Sequence, residues 1–120
     1  MLGNISPFFI VSDLARSIRF YQERLGFELR HSAPEEEPFF AIVGRDQAQI
    51  LLKAISDEVE PQPNHARHEW APWDAFVFVD DPDSLAIEFD ATVTDREDGL
   101  RGFEARDPDG YALFFGRPER

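Results

Sequence analysis

The sequence predicts a single α+β domain built from two consecutive βαβββ modules. Three observations carry that reading. A short apolar run, Pro7-Phe-Phe-Ile-Val11, is followed at once by helix-capping residues and then by apolar positions at helical spacing. The same opening returns in the second half, where Phe76-Val-Phe-Val-Asp-Asp81 parallels Phe8-Phe-Ile-Val-Ser-Asp13. Each opening is then followed by three more strand-like runs, set apart by turn residues. An internal repeat of this kind lets two modules pair around one sheet-lined cavity.

The first module spans residues 5–55. Residues 7–11 suit a buried strand, and Ser12 or Asp13 can cap the helix that follows. Leu14, Ile18, Tyr21 and Leu25 recur at helical spacing, and Gly26 supplies the left-handed C-terminal position. Strands are expected at residues 27–31, 39–43 and 49–55, with Glu35, Glu36 and Glu37 in a solvated loop and a turn at Gly44-Arg45-Asp46. Residues 56–73 form a connecting loop with Pro61, Pro63 and Pro72, room for one short helical turn, and a length typical of functional segments. The second module spans residues 74–117. Pro82 suits a first helical position, and Leu85, Ala86 and Phe89 give a shortened helix one apolar face. Strands follow at 91–94, 102–106 and 111–116, with turns at Asp98-Gly99 and Asp107-Pro-Asp-Gly110.

Composition excludes several function classes. The chain has 120 residues, twelve Phe and two Trp, which supports one ordered core. Twelve basic against 24 acidic side chains leave a net charge of −12, which repels nucleic-acid backbones and anionic membrane surfaces and attracts cationic ligands. No cysteine is present, so disulfides, thiolate metal sites and thiol nucleophiles are ruled out. No apolar stretch is long enough to span a bilayer, and residues 1–7 lack the pattern of a signal peptide, so a cytoplasmic location is expected.

Three segments resemble the vicinal oxygen chelate superfamily, which includes glyoxalase I, extradiol dioxygenases and bleomycin-resistance proteins. They are Phe9-Ile-Val-Ser-Asp-Leu-Ala-Arg-Ser-Ile-Arg-Phe-Tyr-Gln-Glu-Arg-Leu-Gly-Phe27, Phe76-Val-Phe-Val-Asp-Asp81 and Gly102-Phe-Glu-Ala-Arg-Asp-Pro-Asp-Gly-Tyr-Ala-Leu-Phe-Phe115. The resemblance implies two curved sheets lining a cleft, with helices outside and a homodimer completing the arrangement. It turns Ser6, Phe8, Ile10, Gln49, Leu51, Lys53, Asp74, Phe76, Phe78, Ala112, Phe114 and Gly116 inward. Phe9, Val11, Ile50, Leu52, Val77, Val79, Leu113 and Phe115 then face the helices. The superfamily's four metal-ligand positions fall near Ser6, Leu51, Asp74 and Phe114, of which only Asp74 is a good ligand. The implied protein needs no metal or other cofactor and resembles the metal-free bleomycin-resistance proteins.

A second constellation lies in the connecting loop. Asn64-His-Ala-Arg-His-Glu-Trp-Ala-Pro-Trp-Asp74 gathers His65, Arg67, His68, Trp70, Trp73 and Asp74. Two readings stand side by side. These residues form a pocket wall, with flat rings for stacking and charges that fix orientation. Alternatively His65, His68 and Asp74 make a non-standard metal site for a lyase, isomerase or dioxygenase. Lys53 is expected either to reach the rim, to pair with Asp74 or to bind an acidic ligand group. The expected ligand is an aromatic or cationic small molecule held by this loop together with Phe8, Phe76 and Phe114.

Overall fold

A computed structural model describes residues 1–119. The first sheet holds β1 (Phe8–Ile10), β2 (Glu28–Ala33), β3 (Phe40–Arg45) and β4 (Ala48–Lys53) in the order β1-β4-β3-β2. The second holds β5 (Ala75–Phe78), β6 (Thr94–Asp95), β7 (Leu100–Arg106) and β8 (Ala112–Pro118) in the order β5-β8-β7-β6. Helix α1 (Leu14–Leu25) follows β1, α2 (Asn64–Arg67) lies in the connection, and α3 (Pro82–Phe89) follows β5. Both modules therefore read βαβββ, and the first and last strands of each pair in parallel.

Local chemistry explains the element ends. Asp13, rather than Ser12, caps α1 by accepting from the Arg16 N–H at 3.1 Å, and Gly26 closes the helix at φ 70°. Asp81 does the same for α3 by accepting from the Ser84 N–H at 3.2 Å, with Pro82 inside the first turn. Several boundaries differ from the sequence reading: β2 runs on to Ala33, β4 ends at Lys53 rather than Ile55, and β7 begins at Leu100. The β3–β4 turn sits at Asp46-Gln47, because Gly44 and Arg45 stay in the ladder opposite Gln49 and Ala48 while Asp46 takes φ 53°. The strand expected at 91–94 contracts to Thr94-Asp95, paired with Gly102 and Arg101. Ala91 and Val93 pack on the core instead of joining a ladder. β8 continues past Gly116 to Pro118.

Side chains alternate across each strand, so each sheet has a helix-side face and an inner face. The helix-side faces of both sheets feed one continuous core containing Phe9, Val11, Tyr21, Leu52, Leu113 and Phe115. The contacts that join the modules run through α1, α3, the β7–β8 turn and Phe9. Phe9 and Tyr111 stack with centroids 4.3 Å apart and planes 4° from parallel. Tyr111 Oη donates to the Ile10 carbonyl at 2.6 Å, and Tyr21 Oη donates to Asp107 at 2.9 Å. Ser12 Oγ and Arg16 both donate to Asp109, and Arg45 makes a two-point ion pair with Glu88 at 2.6 and 3.0 Å. The inner faces stay open. Phe8 is 52% exposed, Phe76 41% and Phe78 62%.

Candidate ligand-binding cleft

The inner face of the second sheet is built around Phe114. Its cross-strand neighbours are Phe76 on β5 and Glu104 on β7. Its ring lies over Gly102 and Gly116, where an added Cβ would come within 2.9 and 2.5 Å of the ring's Cε2. Two facing glycines thus leave the space that the edge of the ring occupies. Trp73 stacks on Phe114 at 4.8 Å, and Phe76 sits 6.0 Å from both rings. Covered in this way, Phe114 is only 2% exposed and serves as backing, while Phe76 and the half-buried Trp73 present the surface. The Trp73 Nε1 is buried without a hydrogen-bond partner. Arg96, in the β6–β7 connection, lies 5.1 Å from the Trp73 ring centroid and 5.6 Å from that of Phe114.

On the first sheet, Phe8 pairs with Phe40 at 6.5 Å and His31 stands edge-on to Phe40 at 6.1 Å. Lys53 extends along Phe39, with Nζ 5.7 Å from the ring centroid, and forms no ion pair with Asp74. Between β1 and the connecting loop runs a groove of ≈ 540 Å³ bounded by Phe8, Ile10, Glu60, Arg67, Asp74 and Tyr111. A pocket of ≈ 440 Å³ on the opposite, helix-side face is lined by Phe27, Val77, Leu85 and Phe115 and belongs to the seam between the modules.

The loop residues divide. Asp74 is committed to the backbone: it accepts from the Asn64 N–H at 2.7 Å and the Ala112 N–H at 2.8 Å, tying the start of α2 to the start of β8. Asn64 adds a bond to the Trp73 carbonyl, so Trp73 is held in place from both sides. His65 donates from Nε2 to the Gly110 carbonyl at 2.7 Å. His68 turns elsewhere: its Nδ1 accepts from the Trp70 N–H at 3.1 Å. Trp70 is 83% exposed and rests against His68 at 5.5 Å, apart from the Trp73 group. Arg67 is exposed on the groove wall. His65, His68 and Asp74 do not converge, since each ring or carboxylate serves a different backbone segment.

The profile of the glyoxalase/bleomycin resistance protein/dioxygenase superfamily matches residues 4–115. The chain belongs to that superfamily. No curated protein sequence is similar enough to match. Among solved structures, a glyoxalase-related enzyme from Clostridium phytofermentans superposes with a TM-score of 0.72 at 15% identity, covering 98% of this chain and 96% of the other. TnmS3, an antibiotic binding protein from Streptomyces sp. CB03234, gives 0.66 at 19% identity over 98% of both chains. The bleomycin-binding protein from Streptomyces verticillus, complexed with copper(II)-bleomycin, gives 0.64 at 22% identity, covering 96% and 97%. At these identities the likeness is one of fold.

The superfamily's metal chemistry finds no ligand set here. Ser6 Oγ lies 3.5 Å from Gln49 Nε2, Leu51 and Phe114 carry no lone pair, and both Asp74 oxygens already accept backbone hydrogen bonds. Among the described residues no group of three or more His, Asp or Glu side chains is placed to hold a metal ion. No helix among those residues is long and apolar enough to cross a membrane.

Two features had no sequence signal. Arg96 sits in the charged run Asp95-Arg-Glu-Asp98, which reads as a solvated turn. Asp107 belongs to a turn motif, yet it accepts from the Asp109 and Tyr111 N–H groups as well as from Tyr21, and is buried at the seam of the two modules. Burial drives its carboxyl up to about 6, against the opposing pull of those three donors. Burial, with the neighbouring Asp107 charge, raises the Tyr21 hydroxyl well above its ordinary value and keeps it a donor.

Proposed function

We propose that this protein binds and sequesters a planar aromatic small molecule without a metal, in a cleft that two copies of the chain complete. The observation that carries this reading is the aromatic inner wall: the exposed Phe76 stands beside Trp73, which is backed by the buried Phe114. A chain of this size gains much from covering such a surface, because small domains bury a modest share of their area. A second copy supplies that cover and leaves room for a flat ligand between facing sheets. Trp73, Phe76, Phe8 and the groove residue Arg67 then contact the ligand, while Asp74 and His65 hold the wall in shape. The solved bleomycin- and antibiotic-binding proteins with this fold support a binding role.

Light scattering should give twice 13.8 kDa at micromolar concentration. Elemental analysis after growth in metal-supplemented medium should find no stoichiometric Zn, Ni, Mn or Fe. Calorimetric titration with the neutral probe 2-naphthamide should show saturable binding that weakens on Phe76→Ala, with the probe recovered chemically unchanged. One metal per chain, or no saturable binding, overturns the reading.

A further inference from the structure

The cleft wall carries cations that the net charge of the molecule conceals. Over the whole chain acidic groups exceed basic ones by twelve. On the inner faces the cations are Arg30, which lies over Gly44, together with Lys53, Arg96 and Arg106. Register places Glu104 and Arg106 beside Phe114 and Ala112 on the inner face of β8, and these two pair with each other at 2.8 Å. Of the other inner carboxylates, Asp74 is taken up by two backbone N–H groups, Asp98 pairs with Arg96, and Glu28 stands opposite Gly44 on the edge strand of the first sheet.

Arg96 is the cation best placed to act. Its guanidinium is 5.1 Å from the Trp73 centroid and 5.6 Å from that of Phe114, while those rings are 4.8 Å apart. These distances place the guanidinium against both rings of the pair at once. Phe76 and the half-buried Trp73 offer the accessible aromatic surface, with the Arg96 guanidinium, ion-paired through Nε with Asp98, against it. The side chain is anchored from behind: Nε donates to Asp98 at 3.0 Å, Arg96 N–H donates to the Leu100 carbonyl at 2.8 Å, and Gly99 N–H returns to the Arg96 carbonyl at 3.1 Å. Among the described residues no acceptor meets the two terminal amino groups. A guanidinium held by Nε, with its other donors unused next to an aromatic surface, suits a planar anion, which it can bind through two parallel hydrogen bonds. It disfavours a cation there, both by repulsion and because the ring quadrupoles already face a positive charge.

We infer that the cleft selects planar aromatic acids, with Arg96 reading the acidic group of a ligand whose ring rests on Trp73 and Phe76. This rests on the binding function proposed above and names its ligand class. It also reverses what net charge alone suggests, namely a cationic ligand.

The test is calorimetric titration of the purified protein with three naphthalene probes of matched shape: 2-naphthoate, 2-naphthamide and 2-naphthylmethylammonium. The carboxylate should bind about tenfold more tightly than the amide, as expected for one charge-assisted contact, and the ammonium most weakly. Arg96→Gln should remove the advantage of the carboxylate and leave amide affinity within about twofold. Arg96→Lys should restore part of it, since the charge returns without the planar fork. Arg19→Gln, on the exposed side of α1, changes net charge equally and should leave the order of the probes intact. Melting temperatures of the variants verify folding. Carboxylate binding no better than the amide, or an advantage that survives Arg96→Gln, overturns this inference and leaves the binding function standing. Failure of all three probes overturns both.

Discussion

Substituting Asp107 by Asn should change how stability depends on pH, in a direction that the structure determines. Asp107 is 6% exposed and carries a carboxyl raised from 3.8 to about 6. Burial dominates, and the nearby Asp109 charge adds to it, while hydrogen bonds from Tyr21, Tyr111 N–H and Asp109 N–H oppose it. Between these two values the folded protein keeps a proton that the unfolded chain releases, so this group's contribution to stability falls as pH rises from about 4 to about 6 and is flat above. The gap corresponds to about 3 kcal/mol at most. Exposed carboxylates such as Glu88, held low by its bond to Arg45, act in the opposite sense, so the wild-type profile alone is ambiguous. Asp107→Asn isolates the group, because the amide keeps an oxygen for the two backbone donors and can donate to Tyr21 Oη. Urea unfolding followed by tryptophan fluorescence at fixed protein concentration and ionic strength, from about pH 4 to about pH 7, gives both curves. The stability of wild type relative to Asp107→Asn should decline by about 2–3 kcal/mol across that range. A constant difference, or one that rises with pH, would show that the three donors outweigh burial and would refute the reasoning.

Three further outcomes follow from contacts already described. Trp73→Ala uncovers the Phe114 ring and should cost about 3 kcal/mol of stability, whereas Trp73→Phe keeps a ring on Phe114 and should stay within about 1.5 kcal/mol while losing affinity for naphthalene probes. Denaturation and calorimetry on the same samples separate the two effects. Gly116→Ala drives a Cβ into Phe114 and the Arg101 carbonyl and should lower stability by about 1–3 kcal/mol, read by thermal unfolding. Asp74→Ala strands the Asn64 and Ala112 N–H groups and should cost about 2–4 kcal/mol, with the metal content of the purified protein unchanged.

The fold was legible because its signals are local and repeated. Alternation in Phe8-Phe-Ile-Val and Phe76-Val-Phe-Val assigns each side chain a face, and the structure buries Phe9, Val11, Ile50, Leu52, Leu113 and Phe115 while leaving Phe8, Phe76 and Phe78 open. Caps and helix ends follow from one or two residues each. Boundaries that depend on tertiary pairing did not follow. Nothing in Gly44-Arg45-Asp46 shows that the ladder runs on to Arg45, where the side chain continues to Glu88 of the other module.

The first and third segments that carried the family resemblance have a physical relation that the chain order hides. Ser12, Arg16 and Tyr21 come from the first, and Asp107, Asp109 and Tyr111 from the third. In the structure they form one interface: Ser12 and Arg16 hold Asp109, Tyr21 holds Asp107, and Phe9 stacks on Tyr111. The patterns are informative together because each supplies half of the seam between the modules.

The site was less legible than the fold, and the reason is the same non-locality. Within 64–74 the structure packs Trp73 on Phe114 with its carbonyl held by Asn64, but proximity in sequence did not make His65, His68 and Asp74 partners. Each found a nearer backbone group, as polar side chains in loops tend to do. Arg96 shows the converse. In its own segment it is one charge among several, and only the pairing of β6 with β7, and of β7 with β8, carries it to the Trp73–Phe114 platform. Net charge is a sum over the surface and governs long-range encounter, whereas a bound ligand experiences the few groups within reach in a dry cleft, where fields are stronger. The inference drawn from Arg96 therefore depends on its placement against Trp73 and not on the excess of twelve acidic side chains over the whole surface.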